Sequence, residues 1–199
     1  MPINLANMGY DDVSAAMPGE FQALPAGGYV CNVVLADITH SKAGNLMLVL
    51  FIDIAQGDFK GHFKAAVDRV KSFAPDKKWD SSAIYRQLIC DNSGRISKFF
   101  KGLMTAFQKS NNNFRLNLQN FDANDLRGLQ IGFVFAEEEY QKPDGSIANR
   151  VFPKFPKSVA DIQSGNFAVP LKKSSLPSKP AQSNDIFGGS RIDPSDLPF

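Results

Sequence analysis

Two aliphatic runs, Tyr29 to Thr39 and Leu46 to Ala55, flank the hexapeptide His40-Ser41-Lys42-Ala43-Gly44-Asn45, whose Gly and Asn tolerate the positive φ of a hairpin turn. The pattern predicts a long β-hairpin. In the second run Leu46, Leu48, Leu50, Ile52 and Ile54 fall on one face, and Met47, Val49, Phe51 and Asp53 on the other, because side chains alternate along a strand. The first face is the core face; the second is free for another purpose. Gln56-Gly57-Asp58 then turns the chain into Phe59-Lys60-Gly61-His62-Phe63-Lys64, where rings and cations interleave.

Further along, Ala65 to Lys78 has no clean period and fits a strand, a short helix or a loop, whereas Ser82 to Cys90 alternates as a strand. Ser97 to Lys109 reads as a helix. Ser97 can cap it, and Ile96, Phe100, Leu103, Met104 and Phe107 recur at three-and-four spacing opposite Lys98, Lys101 and Gln108, so its phenylalanines are expected in the core. Asp122 to Leu126 makes a short turn or helix, and Leu129 to Tyr140 a strand. Lys142-Pro143-Asp144-Gly145 then turns the chain into Ser146 to Phe152, with Pro153 and Pro156 marking a strand end or edge.

Five strands, a hairpin at each end and one helix between the third and fourth strands predict a mainly β chain, a Greek-key barrel of the OB type. An open α+β sheet under one helix is the alternative. The chain divides into an N-terminal arm over residues 1–27, a barrel over 28–166 and a tail over 167–199 that is too rich in Pro, Ser, Gly and Lys to order itself.

At 199 residues the length suits one core with appendages, and the net charge of +2 conceals an asymmetry. Residues 1–59 carry one base against six acids, and residues 60–109 eleven bases against four acids. That polarity points to a polyanion partner. Cys31 and Cys90 stand far apart without a CxxC pair, and His40 and His62 are the only histidines, so free thiols are expected and no metal or other cofactor. The longest apolar run, Leu46 to Ile52, is too short for a bilayer, and the N-terminus lacks the basic start and apolar stretch of a leader. The expectation is a cytoplasmic protein with no membrane partner.

Single-strand binding needs rings on which bases stack and cations that follow phosphates. Phe59, Phe63, Trp79 and Tyr85, interleaved with Lys60, Lys64, Lys77, Lys78 and Arg86, supply both; each ring is otherwise core filling, and Trp79, between Lys78 and Asp80, is the foremost stacking candidate. An OB barrel also takes its ligand between the first hairpin loop and the last, which here contribute Lys42 from one side and Tyr140 and Lys142 from the other, followed by Arg150 and Lys154. The competing enzyme reading is a metal-dependent nuclease or recombination enzyme using Asp53 and Glu137-Glu138-Glu139. Alternation along a strand lets at most two of those three glutamates converge, and no nucleophile motif accompanies them. A virion or assembly component without a nucleic-acid role is the third possibility.

Two sets of residues carry a family resemblance. The segment Asp193-Pro194-Ser195-Asp196-Leu197-Pro198-Phe199 resembles the acidic tip of bacterial single-stranded-DNA-binding proteins, with the aspartate run reduced to Asp193 and Asp196. LPAGGYV, SKAGN, LVLFIDIAQGDFKGHF, YRQL, FAEEEYQKPDG and KSVADIQSG, across residues 24 to about 165, resemble the single-stranded-DNA-binding proteins of tailed phages of Gram-positive hosts. The resemblance implies an OB fold and sequence-tolerant binding of single-stranded DNA in phage replication and recombination within the bacterial cell. It also implies recruitment of host or phage replication and repair proteins through Asp193, Asp196, Leu197, Pro198 and Phe199; a homo-oligomer is compatible with it.

Overall fold

The computed structural model describes residues 23–71, 78–91 and 93–174. β1 (Gly27–His40) and β2 (Leu46–Ile54) form the expected hairpin, paired antiparallel from Cys31 against Ile54 to His40 against Leu46. Gly44 takes φ 81° in the turn, a conformation nearly closed to other residues. A bulge between Val33 and Leu35 bends β1 and sharpens its twist.

Of the stretch without a clear period, residues 65–71 belong to α1 (His62–Lys71) and 72–77 lie outside the described residues; Asp53 explains the helix start. This buried carboxylate at the end of β2 accepts the backbone N–H groups of Phe63 at 3.0 Å and Lys64 at 3.4 Å, satisfying donors that the first helical turn leaves unpaired. A 3-10 turn over Ser81–Ala83 leads into β3 (Ile84–Leu88), which pairs with β2. Ser97 caps α2 (Lys98–Ser110) by accepting from the Phe99 N–H, as its position predicts. β4 (Gln130–Gln141) follows a second 3-10 turn, Ala123–Leu126, and pairs with both β1 and β5 (Ile147–Lys157).

The fold is mainly β: an antiparallel sheet in the order β3-β2-β1-β4-β5, with α2 between β3 and β4 along the chain. This is the strand order and helix position of an OB barrel. The two outermost strands, β3 and β5, run in the same direction and approach one another side by side without a ladder between them.

Leu48, Leu50 and Ile52 of β2, Ile131, Phe133 and Phe135 of β4, and Leu103, Met104 and Phe107 of α2 are buried almost completely. Each stabilises the fold by about 1.5–3 kcal/mol. Leu46, expected with them, is 41% exposed, because it lies beyond the end of the helix-covered core at the turn. A smaller cluster of Val30, Ala55, Val134 and Ile162 sits on the opposite face of the sheet under α3 (Val159–Gln163). There Gly132 admits α3: a Cβ on it would lie 2.4 Å from Ile162 Cγ1 and 2.8 Å from the Ser158 carbonyl oxygen.

Two expected boundaries move. β5 does not end at Phe152 but continues through Pro153 and Pro156, which an edge strand tolerates because it needs hydrogen bonds on one side only. Nor does the folded part stop at residue 166. Phe167 packs over Gly28 and the small core, and β6 (Lys173–Ser174) adds a short parallel pairing to β4. Residues 1–22 and 175–199, which hold most of the expected arm and tail, lie outside the described residues.

Candidate nucleic-acid interface

The rings expected to stack on bases divide sharply. Phe63 is 3% exposed and lies against Phe135, centroids 6.3 Å apart and planes 18° from parallel. Tyr85 is buried against Phe133 at 4.8 Å. Both are core residues and offer no face to a base. Asp53 pins the first turn of α1 to the sheet and so turns Phe63 inward, while Tyr85 follows the inward alternation of β3. Burial pushes the Tyr85 phenol up to about 12, and its hydroxyl donates to Gln87 Oε1 at 3.1 Å. Phe59 is half-buried, edge-on to Tyr29 and to His62. Trp79 also packs half-buried against the core, its indole N–H enclosed with no acceptor among the described residues.

The cations divide as well. Lys42 sits exposed in the β1–β2 turn, at the opposite end of β1 from the β4–β5 turn that carries Lys142. Lys60 is exposed, and Lys64 pairs with Asp68 one helical turn along α1. Arg86 lies exposed on the outer face of β3. Among the described residues the outer face of β1, β2 and β3 is largely apolar and does not gather the expected cations; Lys77 lies outside the described residues.

A continuous strip of rings and cations appears instead along β5 and the start of α2. The Arg150 guanidinium stands over Tyr140 at 5.5 Å and over Phe152 at 5.2 Å, held by Glu138 at 2.8 Å. Lys154 stands over Phe155 at 5.6 Å. Phe155 is 45% exposed, and Phe99, on the first turn of α2 beside Lys98, is 77% exposed. Phe99 and Phe155 line two neighbouring grooves: one of about 440 Å³ along the open β3–β5 seam, another of about 470 Å³ between α2 and β5. A cleft of about 830 Å³ at the other end of the strip brings Tyr140 and Arg150 towards His62 and Asp80. Burial lowers the His62 pKa against the pull of Asp53 and Asp80.

Phe99 contradicts the expectation that every phenylalanine of α2 is core, and the signal was present. At 100° per residue it falls about a quarter-turn off the stripe of Phe100, Leu103, Met104 and Phe107.

The acidic residues do not converge. Glu137 and Glu139 point to one side of β4, where Lys172 bridges them at 3.1 and 3.0 Å, while Glu138 points to the other side and Arg150. Asp53 is committed to α1. Among the described residues no three of His, Cys, Asp and Glu gather where they could hold a metal ion. Cys31 is a free, fully buried thiol whose pKa is raised by desolvation and by Asp53; Cys90 is also free. The five residues of the expected partner-binding tip, Asp193, Asp196, Leu197, Pro198 and Phe199, lie outside the described residues.

Residues 10–96 match a family described as "Protein of unknown function (DUF669)". The match takes in β1, β2, α1 and β3. It stops before α2, so the exposed rings of α2 and β5 fall outside it. No curated protein matches the chain.

Proposed function

We propose that this chain binds single-stranded DNA without sequence preference, as a non-enzymatic component of phage replication or recombination. The observation that carries the reading is the strip from Arg150 through Phe152, Lys154 and Phe155 to Phe99 and Lys98, in which exposed or half-exposed rings alternate with cations on a sheet of OB strand order. Bases of any identity have a π-face, and stacking on such rings contributes about 1–3 kcal/mol per base while cations follow the phosphates. The nuclease reading is supported less well, because its acids are separated by the pleat of β4 and engaged by Lys172, Arg150 and the start of α1. In the favoured reading, recruitment of replication or repair proteins falls to the segment from Asp193 to Phe199.

The test is a salt titration with labelled oligothymidine, the matching RNA and a duplex. The single strand should bind best, and the logarithm of affinity should fall linearly with the logarithm of salt, by about 0.7 per phosphate contacted. Lys154→Glu should weaken binding and flatten that slope. Absence of binding at low salt, or affinity indifferent to salt, overturns the reading, and magnesium-dependent cutting of the oligonucleotide would favour the nuclease.

A further inference from the structure

The outer face of β1, β2 and β3 is a broad sheet surface beside the strip, meeting it at the β3–β5 seam, where Ile84 and Arg86 help to line the groove of Phe99 and Phe155. Its composition follows from the register. Antiparallel partners point to the same side, so three rows cross the three strands: Leu35, Phe51 and Ile84; Asp37, Val49 and Arg86; Thr39, Met47 and Leu88. Their neighbours on the strands, Leu48 and Leu50, are fully buried, so these rows face outward. Six of the nine residues, the central Val49 among them, are aliphatic or aromatic; Leu35 is 42% and Leu88 38% exposed, Met47, Phe51 and Ile84 are half-buried, and Val49 is covered by its neighbours. Contiguous apolar surface of this kind marks a protein contact.

Its two charges say which protein. Asp37 and Arg86 occupy the same row on either side of Val49, one strand spacing away in each direction. Both are exposed, and neither makes an ion pair with a described residue. Consider a second copy laid face to face, related by a twofold axis in the plane of contact and parallel to β2 at Val49. The rotation exchanges the β1 and β3 sides, so each Asp37 meets the other copy's Arg86, twice over. Around the covered Val49, Phe51 and Met47 meet their own counterparts, Leu35 meets Ile84, and Thr39 meets Leu88. The other in-plane axis, perpendicular to the strands, sets Asp37 on Asp37 and Arg86 on Arg86, and charge disfavours it. An isologous contact needs a surface complementary to itself, and these rows provide one. With one acid, one base and a single ring, the face is a poor track for phosphates.

We infer that the outer face of β1, β2 and β3 is a homodimer interface, with reciprocal Asp37–Arg86 pairs fixing the two copies with their strands aligned. The Arg150 end of the strip and Lys98 lie outside the nine contact residues, while the seam groove of Phe99 and Phe155 borders them. Analytical ultracentrifugation of the full chain across concentrations tests this directly. The wild type should sediment as a species of twice the 21.8 kDa chain mass. Asp37→Arg and Arg86→Asp should each weaken dimerisation by about tenfold or more, since each disrupts both pairs. The double charge swap should restore it to within a few-fold. All three variants should melt within a few degrees of the wild type when monomeric, because both side chains are exposed, Arg86 has no ion pair with a described residue, and Asp37 accepts only the exposed N–H of its neighbour Ile38 at 2.8 Å. A wild type that stays monomeric at the highest concentration overturns the inference, as does a double swap that recovers nothing. An Asp37→Arg variant that keeps the dimer but loses oligothymidine binding would make the face a nucleic-acid surface and overturn it equally; Arg86 borders the seam groove of the strip, so that readout is taken at Asp37. The proposed binding function fails separately, through variants of the β5 strip alone.

Discussion

Phe99 and Phe63 are the same residue in opposite surroundings, and replacing each with alanine should separate binding from folding. Phe99 is 77% exposed, so less than a quarter of its surface leaves water when the chain folds. Full burial of a phenylalanine contributes about 1.5–3 kcal/mol, which limits the folding cost of Phe99→Ala to about 0.7 kcal/mol. If the ring carries one stacked base, the same change costs about 1–3 kcal/mol of binding. At about 1.4 kcal/mol per tenfold, affinity falls roughly 5- to 140-fold. Phe63 is 3% exposed and stacked on Phe135, so Phe63→Ala leaves a cavity costing about 3–5 kcal/mol of stability. For a domain of this size that lowers Tm by roughly 6–20 °C. Thermal melts, and fluorescence anisotropy of labelled oligothymidine at a temperature where both variants are folded, measure the two quantities. A Phe99→Ala variant with unchanged affinity takes that ring off the DNA path. A Phe63→Ala variant that keeps its Tm but loses binding refutes the division between core and surface.

Three further outcomes follow from the geometry. Asp53→Ala should destabilise the fold by about 1–3 kcal/mol, because it leaves the buried N–H of Phe63 without its acceptor; loss of binding without loss of stability would give Asp53 another role. Gly132→Ala should lower stability by about 1–3 kcal/mol through overpacking against Ile162 and the Ser158 carbonyl, and Ile162→Ala should relieve it only in part, since that carbonyl is backbone; an unchanged melting curve would refute the close approach. Tyr85 keeps its proton to about 12, above the ordinary value of 10.0, so the folded state resists ionisation that the unfolded chain accepts. Stability from this group is complete below about pH 10 and is lost as pH rises towards 12. A phenolate absorbance titration should show a late step that Tyr85→Phe removes, and an unchanged titration would place the ring in water.

Where one periodicity dominates, the sequence is enough to locate an element. The period-two run from Leu46 to Ile54, the capping Ser97 and the turn at Gly44 each reappear in the structure because a single local rule governs them. α1 was illegible for the opposite reason. Its first turn is held by Asp53 from ten residues away, a long-range hydrogen bond that no window along the chain reveals. The candidate site follows the same division. Interleaved rings and cations between Phe59 and Arg86 look alike in one dimension, yet Phe63 and Tyr85 go inward while Lys60 and Arg86 go outward. The strip of Arg150, Lys154, Phe155 and Phe99 joins residues some fifty positions apart, and only the packing of α2 against β5 brings them together. The glutamate run was the easiest to read, since the pleat of a strand alone forbids all three from meeting.

A sheet whose two margins, β3 and β5, lie side by side without a ladder still leaves backbone groups unpaired, and bare edges recruit crowded molecules into fibres. β5 carries its own safeguard: Pro153 and Pro156 have no N–H to donate, so a neighbouring molecule's strand cannot zip along it with an unbroken ladder. β3, at the other margin, is only five residues long and gives little to zip onto. Chains standing shoulder to shoulder should therefore stay individually soluble, and replacing both prolines with a β-branched residue should turn a crowded array into an aggregate.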